Sequence, residues 1–203
     1  MLAVGFDFDM TLADTRRGIA ATYRALTAET GTYVDDQLAI SRLGPPLREE
    51  LANWFPAGEI ELAVERYRAL YEIHAIAPTL LMPGARAAVE AVRAEGGRVV
   101  VVTSKLGRLA ELHLAHLGLA VDVVAGNLFA EGKAAALTAN DCQIYVGDHV
   151  ADMIAARTAG IPGVGVPTGP CSAEELTTHG ARLVLPDLDG FSGALPGLLR
   201  LAL

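Results

Sequence analysis

The sequence predicts a doubly wound, Rossmann-like α/β fold, a parallel sheet core with a small α-helical cap domain inserted after the first strand. Three observations carry this. A short apolar run, Leu2 to Phe8, passes directly into polar residues. Helical periodicity with no convincing strand then fills Thr15 to Tyr71, and after Pro78 strands and helices alternate to the end. Alternation of that kind implies a parallel sheet covered on both faces. A helical block between the first strand and the rest reads as an insertion. The expected boundaries are 1–14 and 80–203 for the core and 15–79 for the cap.

Each element has its own signal. The helical stretch is broken near Gly31, at Gly44-Pro45-Pro46 and at Pro56. Residues near Ala13 to Arg17 and Ala77 to Pro83 are expected as the two strands of a hinge. After the Met82-Pro83-Gly84 turn a helix begins, and Gly96-Gly97 stops it. Arg98 to Thr103 is a β-branched run of the kind buried on both faces of a parallel sheet. A helix over about Gly107 to Leu117, a strand at Val121 to Val124 and a helix over about Lys133 to Thr138 follow. Gln143 to Val146 is a strand leading into Gly147-Asp148, followed by a helix from about Ala151 to Ala159. Short strands at Val164 to Val166 and Arg182 to Leu185 finish the sheet.

Composition narrows the function classes. The chain has 203 residues, 52% hydrophobic and 20% charged, enough for a buried core and inconsistent with disorder. Mean hydropathy is +0.35, yet no apolar run reaches the roughly 18 residues that a membrane helix needs. Net charge is -8, which argues against nucleic acid or an anionic membrane as partner. An anionic substrate must then be held by basic residues at particular positions. The opening MLAVGFDFD has neither a basic region nor a small-residue cleavage site, so a cytoplasmic location is expected. Two cysteines, Cys142 and Cys171, are too few for a disulfide framework and are expected as free thiols.

In an open parallel sheet, ligands bind beyond the carboxyl ends of the strands, at the topological switch point. Three predicted strands end in suitable residues: Asp7-Phe8-Asp9-Met10-Thr11, Thr103-Ser104-Lys105, and Gly147-Asp148 with Asp152 four residues on. Carboxylates gathered at one edge repel unless a cation joins them, and an all-oxygen, incomplete ligand set suits Mg²⁺. A shielded Asp can attack a phosphoryl group and form an acyl-phosphate. A second acid two residues along can protonate the leaving oxygen and then deprotonate water.

The segment Asp7-Phe8-Asp9-Met10-Thr11-Leu12 resembles the D-x-D-x-T signature of the haloacid dehalogenase superfamily, in particular its phosphoglycolate-phosphatase-like branch. Val102-Thr103-Ser104-Lys105 resembles the second motif, Lys133 the third, and Gly147-Asp148-His149-Val150-Ala151-Asp152 the fourth. Order and spacing match over essentially the whole chain. The resemblance implies a phosphatase acting on a small phosphorylated metabolite, phosphoglycolate being favoured, as monomer or homodimer. It implies Asp7 as nucleophile and Asp9 as acid and base, with Thr103, Ser104 and Lys133 on the phosphate. The implied Mg²⁺ ligands are Asp7, the Asp9 backbone carbonyl and Asp148, supported by Asp152. Met10 departs from the usual Gly, which bears on the leaving-group pocket, and His149 stands where Thr or Ser is common.

Only two of the 16 basic residues are Lys, Lys105 and Lys133, and both fall in these motifs. A compact ammonium is not interchangeable with a guanidinium fork. Lys105 is left open between a place behind the site and the surface. Arg48, in the cap loop Gly44-Pro45-Pro46-Leu47-Arg48, is a candidate for the remote end of the substrate, with Arg42 as a second and a solvated turn as the plain alternative. His113 and His116 have helical spacing but no third metal ligand, and are expected as solvent-exposed histidines. Trp54 is expected in the cap core. Other functions compatible with the motifs are a sugar phosphomutase, disfavoured because the cap has no Lys, and a non-catalytic phosphate-sensing domain.

Overall fold

Residues Arg98–Val102 contain four consecutive valines, all fully buried. Neighbouring side chains on a strand point to opposite faces, so such a run needs cover on both. The computed structural model, which describes residues 1–201, provides it. Val99 and Val101 join one core with Val89, Val92, Phe191 and Leu195, while Val100 and Val102 join another with Leu137, Tyr145 and Ala155. The doubly wound arrangement is therefore written into one strand.

The strands are Ala3–Phe6 (β1), Ala13–Asp14 (β2), Leu80–Leu81 (β3), Arg98–Val102 (β4), Val123–Ala125 (β5), Ile144–Gly147 (β6), Gly163–Gly165 (β7) and Ala181–Val184 (β8). Six form a sheet in the order β5-β4-β1-β6-β7-β8, with every pair parallel. The chain builds outward from β1 through β4 and β5, then returns to the other side of β1 with β6. The switch point thus lies between β1 and β6, where Asp7 and Asp148 emerge. The helices are Arg16–Thr30 (α1), Asp36–Ile40 (α2), Leu47–Leu51 (α3), Ile60–His74 (α4), Ala85–Ala94 (α5), Gly107–Leu117 (α6), Glu131–Ala139 (α7), Val150–Thr158 (α8), Ala173–Thr178 (α9) and Phe191–Leu201 (α10).

The first four helices form a separate apolar cluster. Ile19, Tyr23 and Leu26 of α1 meet Val64, Tyr67 and Tyr71 of α4, with Leu51 and Phe55 below. Trp54 lies at the margin of that cluster, half-buried, its Nε1 donating to Glu50 Oε1 at 2.8 Å. The two crossings between cap and core are the antiparallel pair β2–β3, with Ala13 opposite Leu81 and Asp14 opposite Leu80. Among the described residues no helix is long and apolar enough to cross a membrane. Cys142 is buried, Cys171 half-buried, and both are free.

Differences from the sequence reading are local. The expected strand at Val121 to Val124 begins at Val123, because Asp122 is used to tie the chain to β4, its Oδ2 accepting the Val99 N–H at 2.8 Å. The pattern marks neither α9 nor α10. The short α9 opens on a Ser172–Glu175 capping box, a signal present in the sequence. Helix α10 contains Pro196, which removes an intrahelical bond. Burial of Phe191, Leu195 and Leu198 against the sheet outweighs that loss, and Phe191 meets Phe6 edge-on at 5.4 Å.

Gly84 precedes α5 with φ +75, and a Cβ there would sit 2.1 Å from Asp189 N and 2.2 Å from Leu188 C. Gly96 has φ +69 but open space around it. Gly96→Ala should therefore cost about 1 kcal/mol, the left-handed penalty alone. Gly84→Ala should cost at least about 3 kcal/mol because backbone must also move. Urea midpoints of the two variants measure the difference, and equal losses would show that the Leu188–Asp189 turn yields freely.

Candidate active site

Strand β1 ends at Phe6, and the chain turns back at once. The N–H groups of Leu12 and Ala13 both donate to the Phe8 carbonyl at 3.0 Å. This tight loop leaves Asp7 at the sheet edge and aims Asp9 toward the cap. It also forces Met10 to φ 60, a conformation that Gly adopts freely and Met only at a cost of about 1–2 kcal/mol. The Met10 side chain is buried in the core, and the Thr168 hydroxyl donates to its carbonyl at 2.6 Å. Met10 therefore acts on the loop and the core, and it does not line the cavity.

Carboxylates from the ends of β1 and β6 and the first turn of α8 gather in one place, and two of them bind a single ammonium. Lys133 Nζ lies 3.0 Å from Asp7 Oδ1 and 2.6 Å from Asp152 Oδ1. Oxygens of Asp7, Asp148 and Asp152 fall within 4.8 Å of one another, all three residues being buried. Thr11 Oγ1 donates to Asp148 Oδ1 at 2.9 Å. The Tyr145 hydroxyl lies 2.8 Å from the Val102 carbonyl and 3.1 Å from Asp152 Oδ1, so its single proton is shared between two acceptors. Asp152 also accepts the His149 N–H at 3.1 Å on Oδ2. His149 caps α8 through Nδ1, which accepts from Ala151 N at 3.1 Å. It does the work of the more usual Ser or Thr, and burial holds its ring below the ordinary imidazole range.

The electrostatics follow from the count of charges. Three carboxylates against one ammonium leave an excess of two negative charges in a buried place. Burial pushes Asp7 up to about 7, against the pull of Lys133 and with help from Asp152 and Asp9. Burial, then Asp7 and Asp152, push Asp148 well above the carboxylate range. Burial alone would lower Lys133, but Asp152 and Asp7 outweigh it and hold the ammonium charged. An all-oxygen donor set with two excess charges fits a hard divalent cation.

Beside this cluster stands a second pair. Asp9 Oδ1 accepts from Thr15 Oγ1 at 2.5 Å and faces Lys105 Nζ at 3.0 Å. Lys105 is therefore neither on the surface nor behind the site; it lines the cavity with Asp7, Asp9, Lys133 and Asp148. The cavity holds about 340 Å³ between core and cap. Ser104 lines it too, its Oγ donating to the cap carbonyl of Gly44 at 3.3 Å. Thr103 is buried, its Oγ1 accepting the Lys105 N–H at 3.2 Å. Arg48 lies at the rim, 64% exposed and paired with Glu61 at 2.6 Å. Arg42 stands against Trp54 and binds Glu50 at 2.6 Å, leaving its buried Nε without a partner.

Sequence reasoning passed over Tyr145 and Tyr71, and gave Thr11 no role beyond its place in the first motif. A tyrosine inside the otherwise aliphatic β6 was a signal, since a buried hydroxyl requires a partner. The expectation for His113 is corrected. It is fully buried, not solvent-exposed, because the face of α6 that carries it packs under the cap, with Tyr71 OH 2.9 Å from its Nε2.

The model of the haloacid dehalogenase-like hydrolase family matches residues 4–166. The chain belongs to that family. This haloacid dehalogenase-like protein is 31% identical over 210 residues to a phosphoglycolate phosphatase of Rhodospirillum rubrum, covering 91% of this chain and 87% of that one. It is 34% identical over 124 residues to the tyrosine-protein kinase PtkA of Mycobacterium tuberculosis, covering 60% of this chain. The match spans only 43% of PtkA, less than half its length. Among solved structures, a predicted phosphatase from Clostridium acetobutylicum superposes with a TM-score of 0.85 at 26% identity, covering 97% of this chain and 99% of that one.

An acid whose folded value is raised from 3.8 to about 7 contributes stability that is fully present below pH 4 and lost as pH rises through 7. With divalent ions removed, the urea midpoint should therefore fall between pH 5 and 8. Asp148→Asn takes one charge out of the cluster and should stabilise the metal-free protein at pH 8 by about 1–2 kcal/mol. A midpoint that rises with pH, or an Asn variant weaker than wild type at pH 8, would refute the charge excess.

Proposed function

We propose that the chain is a Mg²⁺-dependent phosphatase that hydrolyses a small phosphate monoester through an aspartyl-phosphate on Asp7. One observation carries the reading. Asp7 is a buried carboxylate poised beside an ammonium and two further carboxylates, at the switch point of the sheet, with an open cavity above it. In this reading Asp7, the Asp9 carbonyl and Asp148 hold the ion. Asp152 supports them from behind, since both its oxygens already accept hydrogen bonds. Bound Mg²⁺ supplies polarisation of the phosphoryl oxygens and shields the approach of one anion to another.

The chain's own groups do the rest. The Asp7 carboxylate attacks phosphorus as the bond to the leaving oxygen breaks, and Asp9 gives that oxygen a proton. Asp9 then takes a proton from water, which attacks phosphorus, and the Asp7–phosphorus bond breaks to release phosphate. Lys133 holds Asp7 in place and meets charge on the phosphoryl oxygens, with Thr103 and Ser104 beside it. The cap, residues 15–79, closes on the core, residues 1–14 and 80–203, to exclude water. Arg48 and Arg42 offer cations to the remote end of the substrate. That placement suits a carboxylated phosphate ester such as phosphoglycolate, the substrate in the name of relatives from Rhodospirillum rubrum and Xanthomonas campestris. A cytoplasmic metabolite is the natural partner.

EDTA should abolish turnover and Mg²⁺ restore it, whereas Ca²⁺, with looser and larger coordination, should inhibit. Full activity in metal-free enzyme would sink the mechanism. Asp7→Asn should show no phosphoryl adduct by intact-mass spectrometry. Asp9→Asn should turn over about 10²- to 10⁴-fold more slowly, yet accumulate an adduct from p-nitrophenyl phosphate, whose leaving group needs little protonation. An adduct on Asp7→Asn would reverse the assignment of roles.

A further inference from the structure

Lys105 is a second ammonium in the site, and the hydrolytic steps above leave it without a task. Its side chain is 8% exposed, and a buried ammonium is costly unless it is paired and hydrogen-bonded. The pairing is specific. One side of Nζ faces Asp9 Oδ1 at 3.0 Å and another donates to Tyr71 OH at 2.6 Å. The charge also lies 4.6 Å from the centre of the Tyr71 ring, within cation–π range.

Proton counting gives this chain of contacts a direction. An ammonium only donates, so the Tyr71 oxygen accepts from Lys105 and must send its own proton to His113 Nε2, 2.9 Å away. His113 is then neutral, with its proton on Nδ1, and that buried nitrogen has no partner. The sequence of contacts runs from α6 through the cap helix α4 to the loop after β4, and ends on Asp9. On Asp9, both Lys105 and the hinge residue Thr15 converge on Oδ1. Among the described residues no hydrogen bond reaches Oδ2.

We propose that Lys105, itself held by Tyr71 of the cap, is a positioning residue that anchors Asp9 by Oδ1 and turns Oδ2 toward the leaving oxygen. The inference rests on the reading of Asp9 as acid and base. Because Tyr71 belongs to the cap and Lys105 to the core, the anchor is complete only when cap and core are in register. Proton transfer is thereby tied to cap placement, without any added group.

The test compares two substrates, phosphoglycolate, whose alkoxide must be protonated to leave, and p-nitrophenyl phosphate, whose phenolate need not. Lys105→Met should lower kcat on phosphoglycolate about 10- to 100-fold with KM within about 2-fold, and slow the p-nitrophenolate burst less than about 3-fold. Tyr71→Phe keeps the ring and loses the hydroxyl, and should give the same pattern in smaller measure. It carries the test alone if Lys105→Met does not fold. Placed on Asp9→Asn, either substitution should produce no further loss, because both act through the same carboxylate.

A rise in KM on both substrates would make Lys105 a phosphate-binding group and overturn the proposal. So would an equal slowing of the first phosphoryl transfer on both substrates, or a full additional loss on Asp9→Asn. Each of those leaves the role of Asp9 intact. Wild-type turnover by Asp9→Asn alone would be the distinct result that removes the acid and base reading, and the anchor with it.

Discussion

Lys133 shared between Asp7 and Asp152, 3.0 and 2.6 Å away, is the interaction on which the site depends. Without it three buried carboxylates would face one another with no internal cation, and burial would favour their neutral, protonated forms. With it the cluster is still two charges short. A divalent cation would relieve such like-charge repulsion, and without one the crowding costs the protein some of its own stability. Thr11 and Tyr145 steady the outer carboxylates, Asp148 and Asp152, by hydrogen bonds.

The fold makes that crowding possible. The contact between Thr11 and Asp148 spans 137 residues of chain and that between Asp7 and Lys133 spans 126. Only a parallel sheet with a reversal of winding brings the ends of β1 and β6 side by side. Helix α7 then lays Lys133 over them from the face that contains Leu137 and Tyr145. The strained Met10 loop has the same origin. The chain must turn within a few residues of Asp7 to deliver Asp9 and reach the hinge, and tight binding of the loop to the core offsets the strain.

Cap and core are joined by more than the hinge. The Gly44 carbonyl receives Ser104, and Gly44 passes so close to His149 that a Cβ would lie 2.8 Å from its ring. Leu109 of α6 belongs to the apolar cluster of the cap. Tyr71 meets both Lys105 and His113. Three of the residues at this seam, Ser104, Lys105 and His149, follow the strand ends that carry Thr103 and Asp148, so cap and acidic cluster share segments of chain.

By itself the sequence determined the fold class, the six-stranded core with its inserted helices, and the residues that carry the family's motifs. The reason is that these are local signals. Valine runs, glycine and proline breaks and closely spaced acids have the same meaning wherever the chain later goes. Tertiary structure alone decided which groups face one another. Lys105 and Lys133 both belong to the motif segments, yet one pairs with Asp9 and the other with Asp7. His113 reads as a surface histidine until α4 covers it, and α10, unmarked in the sequence pattern, is held by Phe191 against Phe6. In each case burial by a distant element sets the environment, and a residue's charge, tautomer and partners follow from its environment, not from its neighbours in the chain.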